Sequence, residues 1–226
     1  MTLRMEGVHL RLGDADVLRD VSLDLTARTV AVIGDNGSGK SSFARVVGGL
    51  VRRTAGTVNV LGLDADRHAA ELRRRTAMVF SNPDAQILMP TVSEDVTFSL
   101  RGEKRSTTEV RERVTDALSR FGLAELADRS AHDLSGGQKQ LLALCGALVR
   151  RPDLVIADEP TAYLDARNAA RIADHLFEGD HRVLLVTHDL ALAERCDAAV
   201  LFVGGRIASV GGSGSVVSDY QASLRC

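Results

Sequence analysis

The stretch Gly34-Asp35-Asn36-Gly37-Ser38-Gly39-Lys40-Ser41 matches the pattern G-x-x-x-x-G-K-[ST] at every position. The apolar run 29–33 precedes it and predicts a buried parallel strand. Apolar residues at helical spacing follow it and predict an amphipathic helix: Phe43, Val46, Val47 and Leu50. A glycine-rich turn that merely joins strand to helix is disfavoured, because the whole pattern is in register and both flanks are correct. The stretch therefore predicts a phosphate-binding loop.

Each part of this loop has a chemical task. The glycines let backbone N–H groups converge on phosphate oxygens, and the helix N-terminus adds positive potential there. Lys40 supplies a charge to the β- and γ-phosphates of a nucleotide, and Ser41 supplies a hydroxyl to Mg²⁺. The expected nucleotide contacts in the loop are Asn36, Gly37, Ser38, Gly39, Lys40, Ser41 and Ser42.

Two carboxylates, Asp158 and Glu159, follow a second apolar run, 154–157. In a parallel sheet this strand end opens onto the ligand crevice. Asp158 is then placed to hold Mg²⁺, directly or through water, and Glu159 to orient and polarise the attacking water. The alternative is a pair of carboxylates at a solvated strand end, which the phosphate-binding loop in the same chain disfavours. Glu159 alone distinguishes a hydrolase from a protein that only holds nucleotide.

The order of predicted elements indicates an α/β fold class. Strands are predicted at 8–25 (as a hairpin), 29–33, 57–61, 77–80, 154–157 and 183–186, and helices after Thr91 and at 109–121 and 135–149. We expect one domain, 1–226, whose α/β core comprises 1–81 and 150–226. A helical subdomain is expected as an insert at about 82–149.

Composition restricts the class of protein. The 28 basic and 30 acidic residues leave a net charge of −2, so bulk charge gives no argument for nucleic-acid binding. The three cysteines, Cys145, Cys196 and Cys226, have no metal-type spacing and are interpreted as reduced thiols, with Cys145 in the core. No apolar run reaches the length of a membrane span, and no signal peptide is recognised at the start. Any membrane role is therefore expected to depend on a partner.

The segment Leu134-Ser135-Gly136-Gly137-Gln138, upstream of the acidic strand end, narrows the class. With the phosphate-binding loop it resembles the ATP-binding subunits of ABC transporters, which implies a RecA-like P-loop NTPase core with an N-terminal antiparallel β subdomain and an inserted helical subdomain. Ser135 and the N–H groups of Gly136 and Gly137 predict a second anion site, although a merely capped helix start is the alternative. The resemblance implies that Ser135, Gly136, Gly137 and Gln138 of one subunit close on the ATP of a second ATPase subunit, in a homodimer or with a close paralogue.

The resemblance extends further along the chain. Pro160-Thr161 and Leu164-Asp165 resemble the family's D-loop, which implies that Asp165 lies at the subunit contact. Thr187-His188-Asp189 resembles its switch histidine, which implies that His188 reaches the γ-phosphate and takes part in catalysis. A lone histidine is more often structural, but its position at a strand end favours the catalytic interpretation.

The sequence departs from the family at two places. Leu12 or His9 stands where an aromatic residue usually stacks on adenine. Ser81 stands where the family has a glutamine that touches Mg²⁺, so Ser81 is a candidate metal contact through water. Gln86, five residues later, is not an obvious substitute.

The segment from Asn82-Pro83-Asp84-Ala85-Gln86 to Thr91-Val92-Ser93-Glu94-Asp95-Val96 resembles ATPases of energy-coupling-factor (ECF) vitamin and metal-ion importers, among which the biotin system is favoured. This implies a transmembrane coupling subunit and a substrate-binding membrane subunit as partners, no nucleic acid, and a peripheral position at the cytoplasmic face of the cell membrane. The apolar run 87–89 is either the partner surface or core of the helical part. Another ABC importer or exporter ATPase, a soluble ABC protein and a nucleotide-binding regulator without turnover remain alternatives.

Overall fold

The structure is a computed structural model that describes residues 1–224. Cys226, predicted to be a reduced thiol, lies outside the described residues. Cys145 and Cys196 are free and buried, as predicted for Cys145. Within residues 1–224, no helix combines the length and the apolar content that crossing a bilayer requires.

An antiparallel sheet forms the first layer. Its strands are β1 (Thr2–Leu12), β2 (Ala15–Thr26), β4 (Ala55–Val60) and the short β5 (Leu63–Asp64), in the order β2-β1-β4-β5. β1 and β2 form the predicted hairpin, which turns at Gly13-Asp14 with Leu12 opposite Ala15. The alternating exposure along β1 is typical of a sheet with one solvated face.

A six-stranded sheet forms the centre of the molecule. Its strands are β3 (Thr29–Gly34), β6 (Thr76–Val79), β7 (Leu154–Asp158), β8 (Arg182–Val186), β9 (Ala198–Val203) and β10 (Arg206–Gly212). The order is β10-β9-β3-β8-β7-β6, and every neighbouring pair is parallel except β10 with β9. β3 and β7 are buried along their whole length, as expected for strands covered on both faces.

Eight α-helices lie in the described part of the chain. They are α1 (Lys40–Val47), α2 (Ala69–Arg75), α3 (Val92–Ser99), α4 (Thr107–Arg120), α5 (Gly136–Leu148), α6 (Ala166–Phe177), α7 (Leu190–Glu194) and α8 (Ser213–Ser223). The predicted insert at 82–149 contains α3 to α5 and short 3₁₀ turns. The mixed α/β architecture agrees with the predicted fold class, and the limits of the subdomains stay a prediction.

The central sheet separates two hydrophobic cores. Along β3, Ala31 and Ile33 face the core that contains the helices of the insert, whereas Val30 and Val32 face the core beneath the antiparallel sheet. The expectation for Leu50 was wrong: α1 ends at Val47, and Leu50 is 50% exposed. Gly48 and Gly49 end the helix before Leu50 can reach its buried face.

Candidate nucleotide site

The phosphate-binding loop connects the buried strand β3 to α1, as predicted. Gly34 has φ +133°, and a Cβ there would lie 2.1 Å from the Phe202 carbonyl oxygen, so only glycine fits. Lys40 is 6% exposed, and its Nζ donates to the carbonyl oxygens of Gly34 (2.7 Å) and Asp35 (2.8 Å). The lysine therefore folds back over the start of the loop.

Two polar side chains of the loop, Lys40 and Ser38, are buried. Burial lowers the pKa of Lys40, and the nearby carboxylates of Glu159, Asp35 and Asp158 oppose this shift. The Ser38 hydroxyl is buried and, within residues 1–224, has no hydrogen-bond partner. A buried polar group without a partner is costly, which indicates that this hydroxyl is paired when the site is in use. A phosphate oxygen meets that need.

Asp158 ends β7 beside the first turn of α1. The Ser41 hydroxyl donates to Asp158 Oδ1 at 2.9 Å, so the two predicted metal contacts lie together. Hydroxyl and carboxylate oxygens are ligands that Mg²⁺ accepts, and it typically completes its shell with phosphate oxygens and water. Within residues 1–224, no group of three or more His, Cys, Asp and Glu side chains is arranged to hold a metal by itself. The residues present therefore fit Mg²⁺ that arrives with a nucleotide.

Glu159 and His188 meet across two strand ends. His188 Nδ1 lies 2.7 Å from Glu159 Oε2, although the residues are 29 positions apart in the chain. Glu159 has φ +53°, an uncommon backbone conformation for a residue with a side chain, and its N–H donates to the Val186 carbonyl oxygen. The backbone thus turns the carboxylate out of the β7 strand and towards the phosphate-binding loop.

A cavity of about 250 Å³ lies beside the loop. Its lining is Val17, Asn36, Gly37, Gly39, Lys40, Ser41, Ser42 and Glu159. Most of the predicted loop contacts thus converge with Glu159 on one space. Val17 on β2 is the hairpin residue that lines it, whereas the candidates for the adenine contact, Leu12 and His9, do not. Sequence alone missed Val17, because the packing of the hairpin against the loop decides which of its residues lines the cavity.

Ser81 follows the end of β6, which pairs with β7, so it lies at the same edge of the sheet as Glu159. Its side chain has no hydrogen-bond partner within residues 1–224. Gln86 is engaged elsewhere: it accepts from the Phe80 N–H (2.7 Å) and donates to the Met78 carbonyl oxygen (2.9 Å). Gln140 of α5 donates to the Phe80 carbonyl oxygen at 3.0 Å. Two glutamines therefore hold the backbone around Ser81, a role that the motif pattern did not indicate.

Ser135 to Gln138 form the start of α5, where Ser135 and Gly136 are exposed, Gly137 is buried and Gln138 is half-buried. The Ser135 hydroxyl accepts from the Gln138 N–H, and the Gln138 side chain accepts from the Ser135 N–H, which is a complete capping box. The described residues that line the cavity beside the phosphate-binding loop include neither residues 135–138 nor Asp165. The residues of the predicted second anion site therefore lie outside the cavity beside the phosphate-binding loop in this chain.

Asn168 links the start of α5 to Asp165. Asn168 Nδ2 donates to Asp165 Oδ2 at 2.7 Å, and a Cβ on Gly137 would lie 2.6 Å from Asn168 Cγ. Hydrogen bonds from Asn168 hold the pKa of the Asp165 carboxyl below its usual value. Asn168 was missed from sequence because no motif marks it. Asn168 therefore joins the start of α5 and the segment that contains Asp165, both of which are predicted to face the partner subunit.

This fold and this site define a P-loop nucleotide-binding protein. A profile of the family described as ABC transporter matches residues 18–162, and the chain belongs to that family, whose characteristic activity is ATP hydrolysis.

Similar proteins indicate which type of ABC ATPase the chain resembles. The biotin transport ATP-binding protein BioM of Rhizobium etli is 35% identical over 221 residues, covering 98% of each chain. The energy-coupling factor transporter ATP-binding protein EcfA1 of Latilactobacillus sakei is 36% identical over 213 residues, covering 92% of this chain and 76% of its own. A dimeric post-hydrolysis structure of the ATP-binding cassette MJ0796 with ADP and Pi matches with TM-score 0.81 and 28% identity, covering 93% of this chain and 98% of that one. The sequence resemblance to the ECF-type ABC ATPases is thereby confirmed.

Proposed function

We propose that this chain is the ATP-hydrolysing subunit of an ECF-type transporter that imports a micronutrient, a vitamin or metal ion, with biotin the favoured cargo. The observation that carries the hydrolytic part is the convergence of the phosphate-binding loop, Asp158, Glu159 and His188 at the carboxyl ends of β3, β7 and β8. The similarity to a biotin transport ATP-binding protein supports the cargo.

The residues divide the chemical work. The backbone of the loop and Lys40 bind the phosphates, with Lys40 leaving its carbonyl partners for them. Ser41 and Asp158 would hold Mg²⁺, which would offset phosphate charge, and Ser81 would contact it through water. Glu159 orients and polarises the attacking water, and His188 holds the carboxylate in place and senses the γ-phosphate. The hydrogen bond between His188 and Glu159 holds the two side chains in one arrangement, so that both roles can be carried out together.

The working unit is a dimer of two ATPase subunits, either two copies of this chain or this chain with a close paralogue. Ser135 and Gly136 are exposed and lie outside the cavity that the phosphate-binding loop faces. A helix N-terminus with free N–H groups favours an anion. The ATP of the other subunit supplies that anion, so each site is completed by both chains.

A transmembrane coupling subunit is the second partner, with a substrate-binding membrane subunit beyond it. A cavity of about 550 Å³ lies between the β6 edge and the helices of the insert, and Leu88, 66% exposed, stands at its rim. Asp95, buried, accepts from the N–H groups of Leu88 (2.8 Å) and Met89 (3.1 Å) and so fixes how they are presented. The charged residues that line the cavity are Arg74, Arg101, Arg150, Asp95 and Glu103. These three arginines and two carboxylates leave an excess of one positive charge, which suits a helix with apolar and acidic residues. The subunit is then peripheral, at the cytoplasmic face of the membrane.

The apolar run 87–89 serves both of its candidate roles in this proposal. Ile87 is 8% exposed and belongs to the core of the insert, whereas Leu88 is free for the partner.

The test is purification of the tagged chain from membranes of its source, with the partners identified by mass and ATPase activity measured on the complex. Recovery of two membrane proteins together with ATPase activity supports the proposal. Recovery of a chain that hydrolyses ATP but brings no membrane protein contradicts the transport function and leaves the ATPase activity standing.

A further inference from the structure

The C-terminal helix α8 reaches the phosphate-binding loop through one side chain. The Tyr220 hydroxyl donates to Asp35 Oδ1 at 2.7 Å, across 185 positions of the chain. Asp35 is the second residue of the loop, and its carbonyl oxygen accepts from both Lys40 Nζ (2.8 Å) and the Ser38 N–H (3.1 Å). Tyr220 therefore contacts the residue that organises the start of the loop.

The helix that carries Tyr220 is held firmly. Val216 and Val217 are buried in the core on the helical side of the central sheet, against which the Tyr220 ring also packs. Ser213, at the start of the helix, donates to the Glu194 carbonyl oxygen at 3.3 Å. A side chain on such a helix can hold the group it bonds, because the helix is packed into the core.

The position of the Asp35 carboxylate matters for phosphate binding. It is an exposed carboxylate in a loop whose ligand is a polyanion, and its charge partly offsets the lowering of the Lys40 pKa that burial causes. A carboxylate free to turn inwards competes with the phosphates for Lys40 and repels them. The tyrosine hydroxyl supplies a partner on the outer side, and the bond to Asp35 in turn raises the pKa of Tyr220.

We infer that Tyr220 is a positioning residue for ATP binding: its hydroxyl holds the Asp35 carboxylate away from the phosphates and steadies the start of the phosphate-binding loop. This inference rests on the proposed binding of ATP at that loop. It gives α8, to which no sequence motif points, a part in nucleotide affinity.

The experiment is a double-mutant cycle of Tyr220→Phe and Asp35→Asn, with the Kd of Mg-ATP and the KM and kcat of hydrolysis measured for each protein. Tyr220→Phe removes one hydroxyl and is expected to raise Kd and KM by about 3- to 10-fold with kcat nearly unchanged. In the Asp35→Asn background the same change has little effect, because no carboxylate is left to restrain. The ratio of the Kd values for Tyr220→Phe and wild type also shrinks at about 1 M salt, where the Debye length falls to ~3 Å.

Ser223→Ala is the matched control, since it removes another hydroxyl from the last turn of α8, one that donates to the Tyr220 carbonyl oxygen and not to Asp35. Its ATP affinity is expected to equal that of the wild type. The inference is overturned if Tyr220→Phe binds ATP normally, or weakens binding equally with and without the Asp35 carboxylate. A wild-type chain that binds no ATP refutes the proposed function instead.

Discussion

His188 Nδ1 lies 2.7 Å from Glu159 Oε2, so the two residues with proposed catalytic roles are in direct hydrogen-bond contact. Because they stand at the ends of the adjacent strands β7 and β8, the register of the sheet decides their distance. Each side chain restricts the other, and Glu159 lines the cavity beside Lys40. The relationship predicts that the two residues act as a unit.

Glu159→Gln tests the chemistry of the site. The amide is nearly isosteric but does not polarise water as a carboxylate does, so we expect ATP binding to persist while turnover falls by about 10²–10⁴-fold. His188→Ala should also slow turnover, and it should add little in the Glu159→Gln background, because residues that act as a unit are not additive. Steady-state ATPase assays and ATP titrations of the three variants measure this. Near wild-type hydrolysis by Glu159→Gln refutes the assignment.

Ser135→Arg tests the two-chain site. Bulk and charge at the start of α5 should leave ATP binding to the phosphate-binding loop intact and block hydrolysis. Lys40→Ala has the opposite defect, so a mixed dimer regains one composite site with an intact loop and an intact α5 start. We expect mixtures of the two variants to hydrolyse ATP faster than either variant alone.

Ser106→Arg is the matched control for that experiment, because Ser106 caps α4 with the same capping box. Either substitution removes an N-cap, which costs about 1 kcal/mol. If Ser106→Arg abolishes hydrolysis as Ser135→Arg does, loss of the cap explains both. If mixing restores no activity between chains shown to exchange, the two-chain site is wrong.

Leu88→Asp tests the membrane-partner surface. Leu88 is 66% exposed, so the charge should change folding stability by less than about 0.5 kcal/mol while cutting recovery of the membrane subunits. Leu50→Asp is the control, because Leu50 is 50% exposed and lies after α1, outside the insert; it should leave recovery of the membrane subunits unchanged. Ile87→Asp, at a buried position, should unfold the chain. Thermal melts and co-purification separate these outcomes; equal recovery with Leu88→Asp and Leu50→Asp places the partner surface elsewhere.

Gly137→Ala tests the link between α5 and Asp165. The new methyl would lie 2.6 Å from Asn168 Cγ, so Asn168 has to turn away and release Asp165. We expect slower hydrolysis with ATP affinity unchanged, as for Asn168→Ala, which breaks the same bond directly. Combining the two substitutions should cost no more than either alone. A double variant that is slower by the product of the two effects shows that the two residues act separately.

The local elements were predictable because neighbouring residues determine them. The capping box of Thr91 and Glu94 is present as expected, since a hydroxyl and a carboxylate three positions apart satisfy the first backbone N–H groups of whichever helix they begin. The phosphate-binding loop was equally predictable, because Gly34 and Gly39 adopt backbone conformations that side chains disfavour. An apolar run such as 29–33 indicates a strand buried on both faces.

Contacts between segments that are distant in the chain could not be predicted from these local patterns. The sequence alone predicted which residues form the phosphate-binding loop and where several of the helices and strands form, because caps, glycine conformations and apolar periodicity act within a few residues. Only the tertiary structure decided that Val17, and neither Leu12 nor His9, lines the cavity, that Gln86 bonds to the backbone, and that Tyr220 contacts Asp35. The physical reason is that strand register and the packing of the hairpin and helices place these atoms, and each depends on the formation of the whole core.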